Sequence, residues 1–289
     1  MQDKPDIVIE GRAKAFVNLL RYSSFNGLLE DIGFNVKKNT IFVVSSDEAE
    51  TGGKFMHIGK YGGFSTEGEG SVGILARDNL KYISKLFKSD EEIKMEIWPG
   101  EIKIVGPKDE VTTPRLNVDD LSTYREKPPY VLNDEYIVTY HQGKKEPDTI
   151  VKMNASVLSE IVRRADLVEQ DYFPMVFTDN GTLNYSVGSN IDKRTNHVIS
   201  SSIEGLDVEG KELKTTLQAG FPEIAAFLTG DIVLSGITDY PIWVKAEKED
   251  SLIGFVLSPR VEDEEEKEEE KEEEKEEEKE EELENEEGE

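Results

Sequence analysis

The sequence predicts an α+β fold of two similar domains, each a β-α-β-β-β unit repeated twice, with antiparallel sheets and helices on one side. Three observations support this prediction. The segment from Ile7 (IVIEGRAKAFVNLLRYSS, then GFNVKKNTIFVVSSD) has the pattern of the segment from Ile150 (IVKMNASVLSEIVRRADL, then FPMVFTDNGTLNYSVGSN). A second matching pair begins at Val72 and Leu213, at nearly the same spacing. Each copy also has many strand-like runs but only two helices, which favours antiparallel sheets covered by helices on one side.

The elements of each copy follow in the same order. A short β run leads into an amphipathic helix, and a strand, a hairpin turn (37–40 or 178–181) and a second strand come next. Another strand and the second helix follow, then three short strands that end at Pro114-Arg115 or Pro259-Arg260. The glycine-rich stretch 51–70 matches no phosphate-binding loop, and we expect a flexible hairpin or loop there.

These elements divide the chain into domains at 1–116 and 149–261, an extended connector at 117–148 and an acidic low-complexity tail at 262–289. The connector is rich in turn-forming and charged residues, and VLNDEYIVTY within it is expected to form a short strand pair. The tail repeats EEEK and holds 21 acidic residues and four lysines, a large share of the net charge of −28. A segment of this composition cannot pack on a core.

Composition excludes several classes of protein. The 289 residues contain no Cys, which excludes a disulfide scaffold, a thiolate nucleophile and a Cys-type zinc site. The three histidines (His57, His141 and His197) lack metal-ligand spacing. No apolar run approaches the roughly 18–20 residues of a membrane span, and the N-terminus lacks the regions of a signal peptide. We therefore expect a soluble intracellular protein.

No group of residues forms a convincing catalytic constellation. The sequence pairs no histidine with Ser45-Ser46-Asp47, and the carboxylate pair Asp119-Asp120 lies in a predicted loop of a chain rich in carboxylates. We therefore predict a binding protein rather than an enzyme, with no cofactor and no metal site.

Basic residues follow one face of the predicted helices. Arg77, Lys81, Lys85 and Lys88 form a continuous stripe opposite the apolar side of their helix. Lys14 on the first helix and Arg163-Arg164 on the third add to it, whereas the fourth helix (PEIAAFL) has no basic residue. Such stripes suit phosphate backbones, although an outward helix face is also often plain solvated charge.

The order of the elements, their duplication and the end of the second copy resemble those of the archaeal and eukaryotic DNA sliding clamps, the proliferating cell nuclear antigen (PCNA) family. The resemblance covers nearly all of 7–261 and is carried by GFNVKKNTIFVVSSD, by VKMNASVLSEIVRRADL with FTDNGTLNYSVGS, and by YPIWVKAEKEDSLIGFVLSPRVED. It implies the DNA clamp fold in a homotrimeric ring, with helices lining the hole and sheets outside. It also implies a non-enzymatic processivity factor that encircles duplex DNA without reading sequence. A clamp loader places it there, and it tethers DNA polymerase and other replication and repair proteins.

The resemblance assigns residues to two surfaces. The side chains implied to face DNA are Lys14, Arg77, Lys81, Lys85, Arg163 and Arg164. Those implied to line a pocket for the clamp-binding peptide of partner proteins are Val43, Ser46, Leu116, Val118, Leu121, Pro241, Val256, Ser258 and Pro259. Ordinary core packing is the alternative for Val43, Leu116 and Val256. Subunit contacts are expected from about 77–88 with nearby strands on one edge and about 184–200 on the other.

The chain departs from the family pattern in a longer connector, a fourth helix without its basic residue, and a far longer acidic tail. Two rival functions therefore stay open. One is a subunit of a heteromeric clamp, and the other is a monomeric DNA-binding polymerase accessory or regulatory factor. The expected location is the cytoplasm for a prokaryotic or viral replicon and the nucleus for a eukaryotic one.

Overall fold

The computed structural model describes residues 4–47, 55–125, 130–132, 137–140, 144–145, 147–168, 173–188, 198–217, 220–238, 240–248 and 251–259. The chain divides into two compact units, Met1–Pro259 and Arg260–Glu289. The second unit contains the acidic tail and lies outside the described residues. Within the described ranges, no helix has the length and apolar character needed to cross a membrane.

The elements follow the predicted order, with further strands in each half where the sequence pattern assigned none. The first half contains β1 (Ile7–Arg12), α1 (Ala13–Ser23), β2 (Ile32–Lys37), β3 (Thr40–Ser46), β4 (Phe55–Tyr61), β5 (Ser65–Glu67), β6 (Gly70–Ile74), α2 (Ala76–Leu86), β7 (Glu92–Ile97), β8 (Glu101–Val105) and β9 (Glu110–Pro114). The connector contains a 3-10 turn (Val118–Asp120) and the strands β10 (Tyr130–Leu132), β11 (Ile137–Tyr140) and β12 (Lys144–Lys145).

The second half repeats this series. It contains β13 (Thr149–Asn154), α3 (Ser156–Asp166), β14 (Phe173–Phe177), β15 (Leu183–Val187), β16 (Ile199–Ile203), β17 (Asp207–Gly210), β18 (Leu213–Leu217), α4 (Phe221–Phe227), β19 (Asp231–Gly236), β20 (Ile242–Lys248) and β21 (Ser251–Leu257). The further strands are β4 and β5 in the first half and β16 and β17 in the second.

Both halves build the same pair of antiparallel sheets. The strand order β5-β1-β7-β8-β9 of the first half becomes β17-β13-β19-β20-β21 in the second, and β4-β3-β2-β6 becomes β16-β15-β14-β18. The ladders match residue for residue: Ile7 pairs with Ile97 in the first half, and Thr149 pairs with Gly236 in the second. The α+β prediction with antiparallel sheets is therefore confirmed, and the paired strand residues of one half have counterparts in the other.

One strand pair joins the two halves. β21 pairs with β4 from Leu252 opposite Lys60 to Leu257 opposite Phe55, so that five strands of the second half and four of the first form one nine-stranded sheet. β4 lies in the glycine-rich stretch where we expected a flexible hairpin or loop, and it is instead a central strand bonded to β3 and β21. A Cβ on Gly59 would lie 2.5 Å from both the His57 and the Tyr61 side chains, which explains why a central strand carries a glycine there.

The sheets separate a main core from an outer cluster. Helix residues such as Phe16, Ile83, Leu158 and Ile224 pack into the main core, so the helices lie on one side of the sheets. The outer cluster lies on the opposite face and consists of Phe42, Val44, Met56, Ile58, Trp243 and Val256. The two faces alternate along β3 as the pleat requires.

The start of the connector is bonded to the first half. The Leu116 N–H donates to the Gly73 carbonyl (3.0 Å), and the Ser46 N–H donates to the Thr123 carbonyl (3.0 Å). The Tyr124 ring lies against Gly33, where a Cβ would collide with it. The strand pair expected within VLNDEYIVTY is confirmed, since β10 pairs antiparallel with β11.

Candidate functional sites

The six cations predicted to face DNA lie on three helices on the same side of the sheets. Lys14 is exposed on α1, and Arg77, Lys81 and Lys85 are exposed on α2. Arg163 is exposed and Arg164 half-buried on α3. The structure therefore places all six on the helical face, as the sequence predicted, while α4 adds only Glu223 to the charges there.

Half of these cations are already paired within the chain. Arg77 bonds Glu30 at 2.6 Å. Glu160 receives bonds from Arg163 (3.0 Å) and Arg164 (2.7 Å), and these hydrogen bonds lower the pKa of the Glu160 carboxyl to about 2. Lys14, Lys81 and Lys85 form no ion pair with any described residue, so they keep an uncompensated charge for an anion.

A groove between the two halves gathers further cations on this face. The junction groove lies between α1, the β4–β5 turn, the end of α4 and the β20–β21 hairpin, and its volume is about 890 Å³. Its cations are Arg12, Lys14, Arg21 and Lys248. Lys248 was not among the cations predicted from the sequence, because it lies at the end of a strand, far along the chain from α1.

The outer cluster corrects one pocket prediction. Val43 points into the main core, where it is fully buried, so its side chain is not on the outer face. Its neighbour Val44 takes that place, beside Ile58 on the next strand. Because neighbouring residues of a strand point to opposite faces, Val43 has the core packing that was given as its alternative.

Two other predicted pocket residues meet on the outer face. Val256 lies opposite Met56 across the β21–β4 pair, and Met56 lies opposite Ser46 across the β4–β3 pair. The Ser46 hydroxyl and the Trp243 indole N–H are both buried, and neither has a hydrogen-bond partner among the described residues. Since buried polar groups normally have partners, both are exceptions within the described part of the chain.

The remaining predicted pocket residues flank this strip. Leu116, Val118 and Leu121 are half-buried on the connector, which the bond from Ser46 to Thr123 holds beside β3. Pro241, Ser258 and Pro259 are half-buried at the ends of β20 and β21, which the pairing of Ile242 with Leu257 brings together.

The junction between the halves contains a fully buried histidine. His57 Nδ1 donates to the Gly254 carbonyl (2.9 Å), because a carbonyl only accepts, and Nε2 therefore accepts from the Tyr61 hydroxyl (2.8 Å). Burial lowers the pKa of His57 to about 3, so the ring is neutral and links β4 to β21. Among the described residues, no group of His, Asp and Glu side chains has the arrangement of a metal site.

Comparison with protein-family models found no match, and comparison with curated proteins found none either. Solved structures of the same architecture were found. A chain in the structure of the C-terminal region of FEN-1 bound to A. fulgidus PCNA is 14% identical, with a TM-score of 0.67 over 89% of this chain and 99% of that one. Entamoeba histolytica PCNA is 13% identical (TM-score 0.66, 89% and 100%), and Thermococcus kodakaraensis PCNA is 15% identical (0.63, 88% and 100%).

This chain has the PCNA clamp fold. Within the described part of this clamp fold, β9 and β16 are each bonded to a neighbouring strand on one side only. β16 overlaps the end of the range 184–200 that was expected at one subunit edge. The range 77–88 that was expected at the other edge is mostly helix α2, and β9 follows it in the chain.

Proposed function

We propose that the chain is a sliding clamp: copies of it join edge to edge into a homotrimeric ring that encircles duplex DNA and tethers polymerase and other replication and repair proteins. The observation that carries the proposal is the β21–β4 junction inside the chain. By the repeat, β9 is the counterpart of β21 and β16 is the counterpart of β4. Both counterparts have a free edge, so a second copy can form the same junction.

The register of this intermolecular junction, which we call the seam, follows from the ladders. Val111 on β9 pairs with Ile104, and Phe255 on β21 pairs with Val244. Since Ile104 and Val244 are counterparts in the repeat, Val111 is the counterpart of Phe255. Ile199 occupies the place of His57 in the same way. Because Phe255 lies opposite His57, the seam places Val111 of one copy opposite Ile199 of the next.

Exposed apolar side chains support the seam. Phe25 and Phe227 are buried at the internal junction, where both rings contact Phe255. Their counterparts are Leu167, which is 68% exposed, and Leu86, which is 43% exposed. Val198, the counterpart of buried Met56, is 50% exposed. Large exposed apolar groups at positions that the repeat buries mark an interaction surface.

A ring that encloses DNA needs little affinity for it. Lys14, Lys81 and Lys85, which form no ion pair with a described residue, and the cations of the junction groove supply enough positive potential on an otherwise acidic chain. The outer cluster with the connector is the proposed partner site, because a buried apolar anchor ringed by polar groups is how short peptides bind such strips. One structural neighbour was solved with the C-terminal region of FEN-1 bound, which supports a partner site on this fold.

The absence of Cys permits a direct test. Val111→Cys and Ile199→Cys in one chain create the only two thiols. Opposed Cα atoms of an antiparallel pair lie about 4.5–5.5 Å apart, within the range of a disulfide. Oxidation is expected to give a closed species of three chains. When oxidised in the presence of relaxed plasmid, that species should stay on the circle in high salt and leave it when a restriction enzyme cuts the DNA.

The control pairs Val111→Cys with Leu28→Cys, which lies away from both edges and should give no closed ring. Failure of the seam pair to cross-link, with the fold intact, would contradict the homotrimer and favour a heteromeric ring. Cross-linked protein that leaves circular and linear DNA alike would contradict encirclement and favour the monomeric accessory factor.

A further inference from the structure

The loop that follows α1 lies between the helical face and the connector. We call this loop, residues 24–31, the linking loop, and it ends where β2 begins. Arg77 of α2 is bonded to the linking loop, and so is Thr123 of the connector. The linking loop therefore contacts one residue from each of the two surfaces to which the proposed function assigns different ligands, duplex DNA and partner peptides.

Arg77 holds the linking loop through two nitrogens of its guanidinium. Its Nε donates to the Gly27 carbonyl (2.9 Å), and its Nη1 donates to the Glu30 carboxylate (2.6 Å). The side chains of Arg77 and Glu30 are 54% and 73% exposed, so water and salt screen this ion pair. An anion that reaches Arg77 can therefore replace Glu30 at little cost.

The linking loop has a strained backbone that its contacts maintain. Phe25 and Asn26 have φ angles of 50° and 59°, in the left-handed region that residues other than glycine rarely adopt. The Asn26 N–H donates to the Arg21 carbonyl (2.7 Å), and the buried Phe25 ring lies 4.4 Å from the Phe55 ring between centres. Strained backbone persists only where its surroundings hold it, so the loop can relax when one of its bonds is lost.

Asp31, the last residue of the linking loop, holds the start of the connector. The Thr123 hydroxyl lies 3.0 Å from the Asp31 carboxylate and 3.2 Å from the Asp31 carbonyl, and Thr123 is nearly buried. The Thr123 carbonyl accepts from the Ser46 N–H, and the Arg125 N–H donates to the Val44 carbonyl (3.3 Å). Since Ser46 and Val44 belong to the proposed partner site, the linking loop helps to set where the connector meets that site.

β3 is attached to α1 by a separate bond. The Ser45 hydroxyl donates to the Ser23 carbonyl (2.5 Å), and both residues are fully buried. A shift of the linking loop should therefore move the start of the connector relative to β3, rather than move both together.

We infer that the linking loop couples Arg77 to the partner site, with Arg77 and Asp31 as positioning residues for the connector. An anion bound at Arg77 releases Glu30 and Gly27, the linking loop relaxes, and the bond between Asp31 and Thr123 weakens. The start of the connector then separates more readily from β3. Because coupling is reciprocal, a peptide at the partner site changes the affinity for the anion by the same factor. With DNA as the anion the inference rests on the proposed function, whereas the link from Arg77 to the connector does not.

Hydrogen exchange of the full chain, followed by mass spectrometry, tests the link without any ligand. Arg77→Met should raise the exchange of residues 117–125 about threefold to fivefold, as expected for the loss of one or two hydrogen bonds. Lys81→Met removes a cation of the same helix that forms no described bond to the linking loop, and it should change this exchange less than twofold. Glu30→Gln should act in the same direction as Arg77→Met, and it keeps the test valid if Arg77→Met unfolds.

A second variant tests the route through Asp31. In a Thr123→Val background, Arg77→Met should have no further effect on residues 117–125, because the connector is then no longer bonded to Asp31. An undiminished effect of Arg77→Met in that background would overturn the inference. Equal exchange in the parent, Arg77→Met and Glu30→Gln would overturn it as well.

The same measurement with relaxed plasmid tests the coupling to DNA. The plasmid should raise the exchange of residues 117–125 in the parent to about the level of Arg77→Met, and it should not raise that of Arg77→Met further. Plasmid that is retained by the parent without any change in this exchange would overturn the inference. A chain that does not retain the plasmid, but whose connector is loosened by Arg77→Met, would contradict only the proposed function.

Discussion

Replacement of Leu86 by Gln should weaken the ring without affecting the fold. Leu86 is 43% exposed, and its counterpart Phe227 is 9% exposed, so the seam would remove about a third of the Leu86 surface from water. Full burial of a leucine stabilises by about 1.5–3 kcal/mol, which gives about 0.5–1 kcal/mol here. A glutamine amide buried without a partner costs about a further 1–3 kcal/mol. The sum, about 2 kcal/mol per seam, corresponds to roughly thirtyfold weaker association.

Sedimentation velocity over a dilution series measures this change, with thermal unfolding as the check on the fold. Leu28 is 44% exposed but lies in the turn after α1, so Leu28→Gln is a matched control and should leave association unchanged. Leu167→Gln, on the opposite edge, should weaken association at least as much as Leu86→Gln. Equal behaviour of the Leu86 and Leu28 variants would refute the reasoning from the repeat.

Three further outcomes are expected. Gly33→Ala should displace the Tyr124 ring, because a Cβ would collide with it, and make the connector more sensitive to limited proteolysis; unchanged cleavage would contradict the anchoring described here. Because the pKa of His57 is lowered to about 3 in the fold, its contribution to stability is fully present above about pH 6.5. That contribution is lost as the pH falls towards 3, at about 1.4 kcal/mol per pH unit. Between pH 7 and pH 5.5, the free energy of unfolding measured with denaturant should therefore fall by about 1 kcal/mol more for the parent protein than for His57→Gln. An equal fall in both proteins would show that the ring is not buried in its neutral form. Glu160→Gln should free the two arginines of α3 and steepen the salt dependence of duplex binding by about one to two, whereas an unchanged slope would place them away from DNA.

Local pattern was enough for most of the fold. The helices and the last three strands of each half have clear period-3.6 or period-2 patterns, and the duplication could be read directly from their order. β4 was missed because Gly59 in its middle is a poor strand residue and the stretch around it is rich in glycine. What makes it a strand is the second half of the chain: β21 bonds its whole length, and His57 finds its carbonyl partner on Gly254. Local sequence pattern does not indicate which distant strand a segment will pair with.

For the candidate surfaces as well, local pattern predicted some residues, whereas others depended on contacts between distant parts of the chain. The basic helical face could be predicted because helix periodicity fixes which residues share a side. The pairing of Glu160 with both neighbouring arginines could have been expected from its spacing, whereas Lys248 could not, because only the fold brings it to α1. The outer cluster needed the strand register, and a one-residue difference separates Val43 in the core from Val44 on the outer face.

The most direct test of the central claim is the mass of the full chain in solution, by native mass spectrometry and light scattering across a dilution series. We expect a discrete species of three times 32.6 kDa, with no larger open assemblies, because three copies joined by the seam close into a ring. A chain that remains a monomer at every concentration would contradict the self-sufficient ring.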